Sequence, residues 1–158
     1  MKYRQLDRIT SLEPGVKITA ERTLRADEEY LNDHFPKFPV MPGVMMLEAL
    51  HQAAIWLIRT GDQFDAPLVL LREVRAVKFG EFLAPGETLE IIAESVKQKD
   101  SLTTIKATAT KEGRTTVSAR LILERCFLDP PDPRGDEDIR NRAKIQFHEL
   151  FGEIPQSS

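Results

Sequence analysis

The sequence has few of the residues that form covalent cross-links. Its 158 residues include one cysteine, Cys126, so a disulfide within the chain is excluded. A lone cysteine is typical of proteins from a reducing compartment. The first fifteen residues, MKYRQLDRITSLEPG, lack the apolar segment of a secretory signal. We therefore predict a cytoplasmic protein.

Basic tracts and membrane-length apolar runs are also missing. The net charge is -3 and the isoelectric point is about 5.7, so no surplus of cationic groups is available to neutralise phosphates. The longest apolar run is interrupted by polar residues and is shorter than the roughly 20 residues that span a bilayer. These features predict a protein that binds neither nucleic acid nor membrane.

The stretch that dominates the chain is an apolar segment near its middle. From Val44 to Ile58, twelve of fifteen residues are apolar, and Glu48 is one of the three exceptions. Pro42 suits the first turn of a helix, so the pattern predicts a helix from Pro42–Gly43 to about Arg59. A helix that is apolar all round is expected to be buried. Glu48 would then be a buried carboxylate, which is costly unless it is partnered or protonated.

Alternating apolar and polar residues predict strands on both sides of this helix. The predicted strands span residues 3–9, 16–24, 68–79, 88–97, 102–111 and 114–124. Short turns between them, such as Glu112-Gly113, make the sheet antiparallel. The fold class is therefore α+β, with about six strands curled around one long buried helix. One small sheet cannot enclose a helix fully, which favours pairing of two such units.

The end of the chain differs in composition from the rest. We divide the sequence into a domain at 1–126, a proline-rich linker at 127–135, and a C-terminal helix and tail at 136–158. The predicted helix Asp136 to Phe151 carries one apolar stripe and is near the marginal length for an isolated helix, so it must dock. We expect it on the outer face of its own sheet. The alternative is the rim of the substrate site or a partner subunit.

The chemistry is expected where a rigid loop meets the central helix. His34 and Glu48 are fourteen residues apart and are separated by a loop containing three prolines. This loop can bring His34 back towards a helix side chain, in its own subunit or across a dimer interface. Gly43 lies between them, and its N–H at the positive end of the helix can hold a carbonyl oxygen. A base, an acid and an oxyanion donor thus converge.

Residues 34–54, HFPKFPVMPGVMMLEALHQAA, resemble the signature of the FabZ-type 3-hydroxyacyl-[acyl-carrier-protein] dehydratases. That family has the hot-dog fold. The similarity includes the His-Phe-Pro start, the Pro-Val-Met-Pro-Gly-Val core, and Glu-Ala followed by Gln. A weaker similarity covers VKFGEFLAPGE, whereas the C-terminal helix has no counterpart.

The resemblance assigns the catalytic roles. It implies that His34 removes the α-proton of a 3-hydroxyacyl thioester, that Glu48 protonates the departing hydroxyl, and that the Gly43 N–H binds the thioester carbonyl. Burial would keep Glu48 protonated. In the family, the two catalytic residues of one site come from different subunits. The related FabA enzymes, which also isomerise, have Asp at the position of Glu48, so dehydration without isomerisation is expected.

The remaining expectations concern binding and assembly. The substrate-binding residues implied are Val40, Gly43, Val44, Gln52 and Phe79. Gln52 either orients the site or satisfies a backbone group. No metal or other cofactor is implied. The partner is an acyl carrier protein bearing a 3-hydroxyacyl chain, and the assembly is a homodimer or a trimer of such dimers.

The sequence leaves three alternatives to this interpretation. Glu48 and His51 form an E-x-x-H pattern found in di-iron helix bundles, but no second such motif exists, so His51 is better explained as a packed or interface histidine. The second alternative is a hot-dog thioesterase or hydratase acting on acyl-CoA, although the Asp-x-Asn-Pro-x-His pattern of MaoC-type hydratases is absent. The third alternative is a non-catalytic subunit that binds acyl carriers.

Overall fold

The computed structural model describes residues 5–25, 27, 41, 43–127 and 132–151. These residues form six strands and two helices. The elements in chain order are β1 (Arg8–Glu13), β2 (Lys17–Thr23), α1 (Gly43–Gly61), β3 (Leu68–Phe79), β4 (Thr88–Lys99), β5 (Leu102–Lys111), β6 (Arg114–Cys126) and α2 (Pro133–Phe151). The predicted bounds of β3 and β5 are confirmed, and those of β2, β4, β6 and α1 differ from the prediction by at most two residues.

The six strands form one antiparallel sheet in the order β1-β2-β4-β5-β6-β3. The turn between β5 and β6 has positive φ at both Glu112 and Gly113, the geometry that matches the twist of adjacent strands. Among the described strands β3 pairs only with β6, so β3 lies at one edge of the sheet.

Small side chains allow α1 to lie close to the sheet. Ala49 and Ala53 on the helix are fully buried, as are Ala93, Ala107 and Ala109 on β4 and β5. Larger residues such as Leu50, Leu57, Ile91 and Ile105 fill the space around these contacts. The core therefore lies between one face of α1 and one face of the sheet.

A single chain buries α1 on one side only, as expected where one small sheet cannot enclose a helix fully, but the prediction that Glu48 is buried is wrong for a single chain. Glu48, His51, Gln52 and Ile55 are each only partly buried, because the sheet covers one side of the helix and leaves the other open. Glu48 in particular retains 43% of its side-chain exposure. The helix is thus a core element that also presents a functional stripe.

Two other boundaries differ from the sequence prediction. Among the described residues, which start at Gln5, the first strand spans Arg8–Glu13, whereas the prediction placed it at residues 3–9. Its hairpin with β2 turns at Pro14-Gly15. The C-terminal helix begins at Pro133, three residues early, because the Asp132 side chain accepts a hydrogen bond from the Gly135 N–H. Asp at the cap and Pro at the first helical position are a known helix start.

Helix α2 docks beside α1 on the core side of the sheet, so the expected position on the outer sheet face is wrong. Phe147 is fully buried, with its ring centroid 5.9 Å from those of both Trp56 and Phe64. The Arg140 guanidinium also donates a 2.7 Å hydrogen bond to the carbonyl oxygen of Asp65. The apolar stripe of α2 belongs to the main hydrophobic core.

Because Phe147 anchors α2, Phe147→Ala should lower the free energy of unfolding by about 3–5 kcal/mol. The matched change Ile145→Ala, at a site that is 60% exposed on the same helix, should alter it by no more than about 0.5 kcal/mol. Urea unfolding at one protein concentration measures both values. Equal effects of the two substitutions would show that α2 is not docked as described.

Candidate active site

The N-terminus of α1 is closed on one side by the aromatic ring of Phe79. A Cβ atom placed on Gly43 would lie 2.9 Å from Cε1 of Phe79, so a larger residue at this position would displace the ring. Phe79 reaches the helix at the end of β3, just after a bulge at which Ala76 has a φ of 53°. Bulges of this kind redirect side chains next to binding sites.

The first-turn amides of a helix have no acceptor within the helix. The N–H of Gly43 therefore lies at the positive end of α1, where it can bind an oxygen that carries negative charge. Phe79 and the exposed Val44 border this position with apolar surface. The arrangement suits a carbonyl group attached to an apolar chain.

Glu48 lies about one and a half helical turns beyond Gly43, and both of its carboxylate oxygens are engaged. Oε2 is 3.2 Å from Nδ1 of His51, and Oε1 accepts a 3.2 Å hydrogen bond from Nε2 of Gln52. A carboxylate has no proton to donate, so Nδ1 of His51 is the donor when Glu48 is ionised. These two contacts fix the carboxylate plane.

Gln52 is itself held by the N-terminal segment. Its Oε1 accepts a 2.7 Å hydrogen bond from the backbone N–H of Gln5, which leaves its Nε2 to face Glu48. The side chain of Gln5 in turn accepts a 3.3 Å hydrogen bond from the buried Arg22. Gln52 therefore satisfies a backbone group and also contacts Glu48.

The hydrogen bond from His51 holds the pKa of Glu48 below its usual value, partial burial opposes this by raising the pKa, and Gln52 lowers it further. The expectation that burial keeps Glu48 protonated is therefore wrong in the single chain. The reason is that the open side of α1 leaves Glu48 partly hydrated, so desolvation is outweighed by its hydrogen bonds.

The structure brings the predicted site residues together in two groups. Gly43, Val44 and Phe79 lie at the helix N-terminus, and Glu48 and Gln52 lie one to two turns further along α1. His34 and Val40 lie outside the described residues.

Two contributors to the site were missed from the sequence. The prediction for His51 is a packed or interface histidine, although its spacing of three from Glu48 is the spacing of helical neighbours. Gln5 gave no signal, because it contacts the site through its backbone across 47 residues of chain. Within the described ranges, His, Cys, Asp and Glu form no cluster suited to a metal ion.

Comparison of the sequence with models of protein families identifies the family of this chain. The model of the FabA-like domain matches residues 1–120. The chain belongs to this family. Its relatives include 3-hydroxyacyl-[acyl-carrier-protein] dehydratase FabZ of Levilactobacillus brevis, which is 38% identical over 116 residues covering 73% of this chain and 78% of that protein. The enzyme of the same name from Clostridium kluyveri is 36% identical, covering 66% and 72% of the two chains.

Solved structures place this FabA-like chain in the hot-dog fold, as predicted. The dehydratase heterocomplex ApeI:P from Xenorhabdus doucetiae matches with a TM-score of 0.65 and 19% identity, covering 89% of this chain and 91% of that one. Zebra fish thioesterase superfamily member 2 matches with a TM-score of 0.61 and 17% identity, covering 75% and 80%. At these identities the likeness shows the fold alone.

The resemblance to FabZ-type dehydratases is confirmed by the relatives. Helix α2 lies beyond the segment that the family model matches.

The link between His51 and Glu48 can be tested by titration. Substituting Ala for His51 removes the hydrogen bond that does most to lower the pKa of Glu48, so that pKa should rise. Carboxyl carbon NMR against pH measures the change. The control His148→Ala, at an exposed histidine of α2, should leave the titration of Glu48 where it is. A Glu48 titration that is the same in His51→Ala and in the unsubstituted protein would contradict the assigned contact.

The same contact predicts a pH dependence of stability. The pKa of Glu48 is lower in the folded single chain than in the unfolded chain, so its contact with His51 adds stability at pH values above its unfolded-state pKa. This contribution is lost as the pH falls through the folded-state pKa of Glu48. Glu48→Gln should therefore reduce the loss of unfolding free energy on acidification. Urea unfolding at a series of pH values, at a protein concentration at which the chain is monomeric, measures this loss, and an unchanged slope would contradict the assignment.

Proposed function

We propose that this chain removes water from a 3-hydroxyacyl thioester carried on an acyl carrier protein, giving the trans-2-enoyl thioester in fatty-acid or related acyl-chain synthesis. The supporting observation is a carboxylate held by two hydrogen bonds beside a helix N-terminus, in a chain 38% identical to a protein named as such a dehydratase. The single cysteine accords with a cytoplasmic location.

In the proposed reaction His34 takes the α-proton of the thioester. Negative charge then develops on the thioester carbonyl oxygen, where the Gly43 N–H and the positive end of α1 stabilise it. Glu48 donates a proton to the 3-hydroxyl group, which leaves as water. Gln52 keeps the Glu48 carboxyl group facing the substrate. The reaction uses no metal or redox cofactor.

Glu48 must carry a proton to act as the acid, although its hydrogen bonds favour the ionised form in a single chain. A second subunit lying against the half-exposed stripe of α1 would remove water from around Glu48. Desolvation disfavours the charged form and would raise its pKa. Assembly would thus help to set the protonation state that the reaction needs.

A homodimer is proposed as the functional unit, with His34 of one subunit facing Glu48 of the other. Support comes from the edge strand β3, on which Leu70, Leu71, Val77 and Phe79 are exposed. An unpaired edge with apolar side chains favours pairing with another strand. A trimer of such dimers is the larger assembly proposed, and sedimentation of the native protein distinguishes the two.

Substitution of either proposed catalytic residue tests the reaction. His34→Ala and Glu48→Gln should each lower kcat for dehydration by about a hundredfold or more, because each removes one proton-transfer group. The rate is measured from the formation of the conjugated enoyl thioester. His148→Ala is the matched control for loss of a histidine. Near-native turnover by either catalytic variant would remove that residue from the mechanism.

Mixing the two inactive variants tests the shared site. In a heterodimer of His34→Ala and Glu48→Gln, one site keeps both catalytic groups and the other keeps neither. Subunit exchange should therefore restore part of the activity, up to about half per heterodimer. If exchange is demonstrated by mass spectrometry and activity stays absent, each site is built within one chain.

A further inference from the structure

A groove of about 220 Å³ lies between α1 and α2 and begins at Glu48. Glu48 and Gln52 line the end nearest the proposed reaction centre. Ile55, Trp56 and Leu150 provide apolar walls, and Arg59 lies at the far end. Gln146 and Glu149 of α2 add polar side chains to the lining. This volume is smaller than the roughly 300–1,000 Å³ of complete small-molecule sites, so the groove suits one part of a larger ligand.

The α1 side of the groove is a continuous stripe. Glu48, Gln52, Ile55 and Arg59 follow one another at intervals of four, three and four residues, which places them on the same face of the helix. Glu48 and Arg59 are eleven positions apart, which is about 16 Å along the helix axis. A chain that starts at Gly43 and passes Glu48 would continue along this stripe.

The opposite wall comes from α2, the helix outside the matched family segment. Leu150 is almost fully buried, and Gln146 lies one turn before it on the same side of α2. Phe147 fixes the position of this helix against Trp56. The depth and width of the groove therefore depend on a helix outside the segment that the family model matches.

The far end of the groove is charged. The guanidinium carbon of Arg59 lies 5.3 Å from the centroid of the Trp56 ring, and partial burial lowers the pKa of Arg59. The methyl end of an acyl chain in contact with Arg59 would desolvate the guanidinium without offering a hydrogen-bond acceptor, which is unfavourable. The apolar path that begins beyond Gln52 thus ends at Arg59.

We propose that the groove between α1 and α2 receives the distal part of the acyl chain, and that Arg59 and α2 set an upper limit on its length. This inference rests on the proposed function, which places the 3-hydroxyl group beside Glu48. Chains that end before Arg59 are favoured, because each additional buried methylene contributes to binding until the charged end is reached.

Two substitutions should move the limit in opposite directions. Gln146→Phe narrows the groove and should lower the ratio of kcat/KM for long over short 3-hydroxyacyl chains about tenfold, whereas Arg59→Ala should raise it by a similar factor. The substrates are a graded series from 3-hydroxybutyryl to 3-hydroxytetradecanoyl thioesters. Ile145→Phe adds the same ring on the exposed side of α2 and should leave the ratio unchanged.

Binding can be measured separately from turnover, because Trp56 is the only tryptophan in the chain. Unreactive thioether analogues of 3-hydroxyacyl-pantetheine should change its fluorescence saturably once the chain is long enough to enter the groove. Gln146→Phe should weaken this response, and Ile145→Phe should not.

The two measurements separate the failure of one proposal from the failure of the other. A length-dependent response of Trp56 without dehydration of any thioester would overturn the proposed function and support the groove as an acyl-binding site. If the protein dehydrates the thioesters, Gln146→Phe and Ile145→Phe show the same chain-length preference, and Trp56 fluorescence does not respond, the proposal that the groove binds the acyl chain is overturned.

Discussion

A single six-stranded sheet can cover only one side of a long helix, and most features of this chain follow from that constraint. Alanines on α1, β4 and β5 bring the covered side close to the sheet. The uncovered side retains a stripe that includes Glu48, Gln52 and Ile55. Helix α2 covers part of this stripe towards the end of α1, and the proposed partner subunit would cover the part nearer Glu48.

The same constraint explains the electrostatics of Glu48. Because its side chain is partly exposed, hydrogen bonds from His51 and Gln52 outweigh desolvation and lower its pKa. A fully enclosed helix would reverse that balance. Glu48 is therefore a group whose protonation responds to what covers α1, which connects assembly to the proposed acid catalysis.

Much of the fold is readable from the sequence because local patterns determine it. Alternation predicted β3 and β5 to the residue, and the apolar run predicted α1 almost completely. The start of α2 was missed although Asp132-Pro133 is a local signal, because the surrounding prolines favoured a linker.

The remaining errors come from contacts that no local pattern encodes. The partial exposure of Glu48 depends on how far the sheet extends around the helix. The contact of Phe79 with Gly43 depends on a bulge at Ala76, a residue type that rarely adopts positive φ. The docking of α2 depends on Phe147 meeting Trp56 and Phe64.

The most direct measurement of the central claim is mass spectrometry of a 3-hydroxyacyl chain on acyl carrier protein after incubation with the purified protein. We expect a carrier-bound product that has lost one water and, by NMR, contains a trans double bond between the α and β carbons. Release of the free acid from the carrier would show a thioesterase. An unchanged carrier-bound chain, at every length from butyryl to tetradecanoyl, would contradict catalysis altogether.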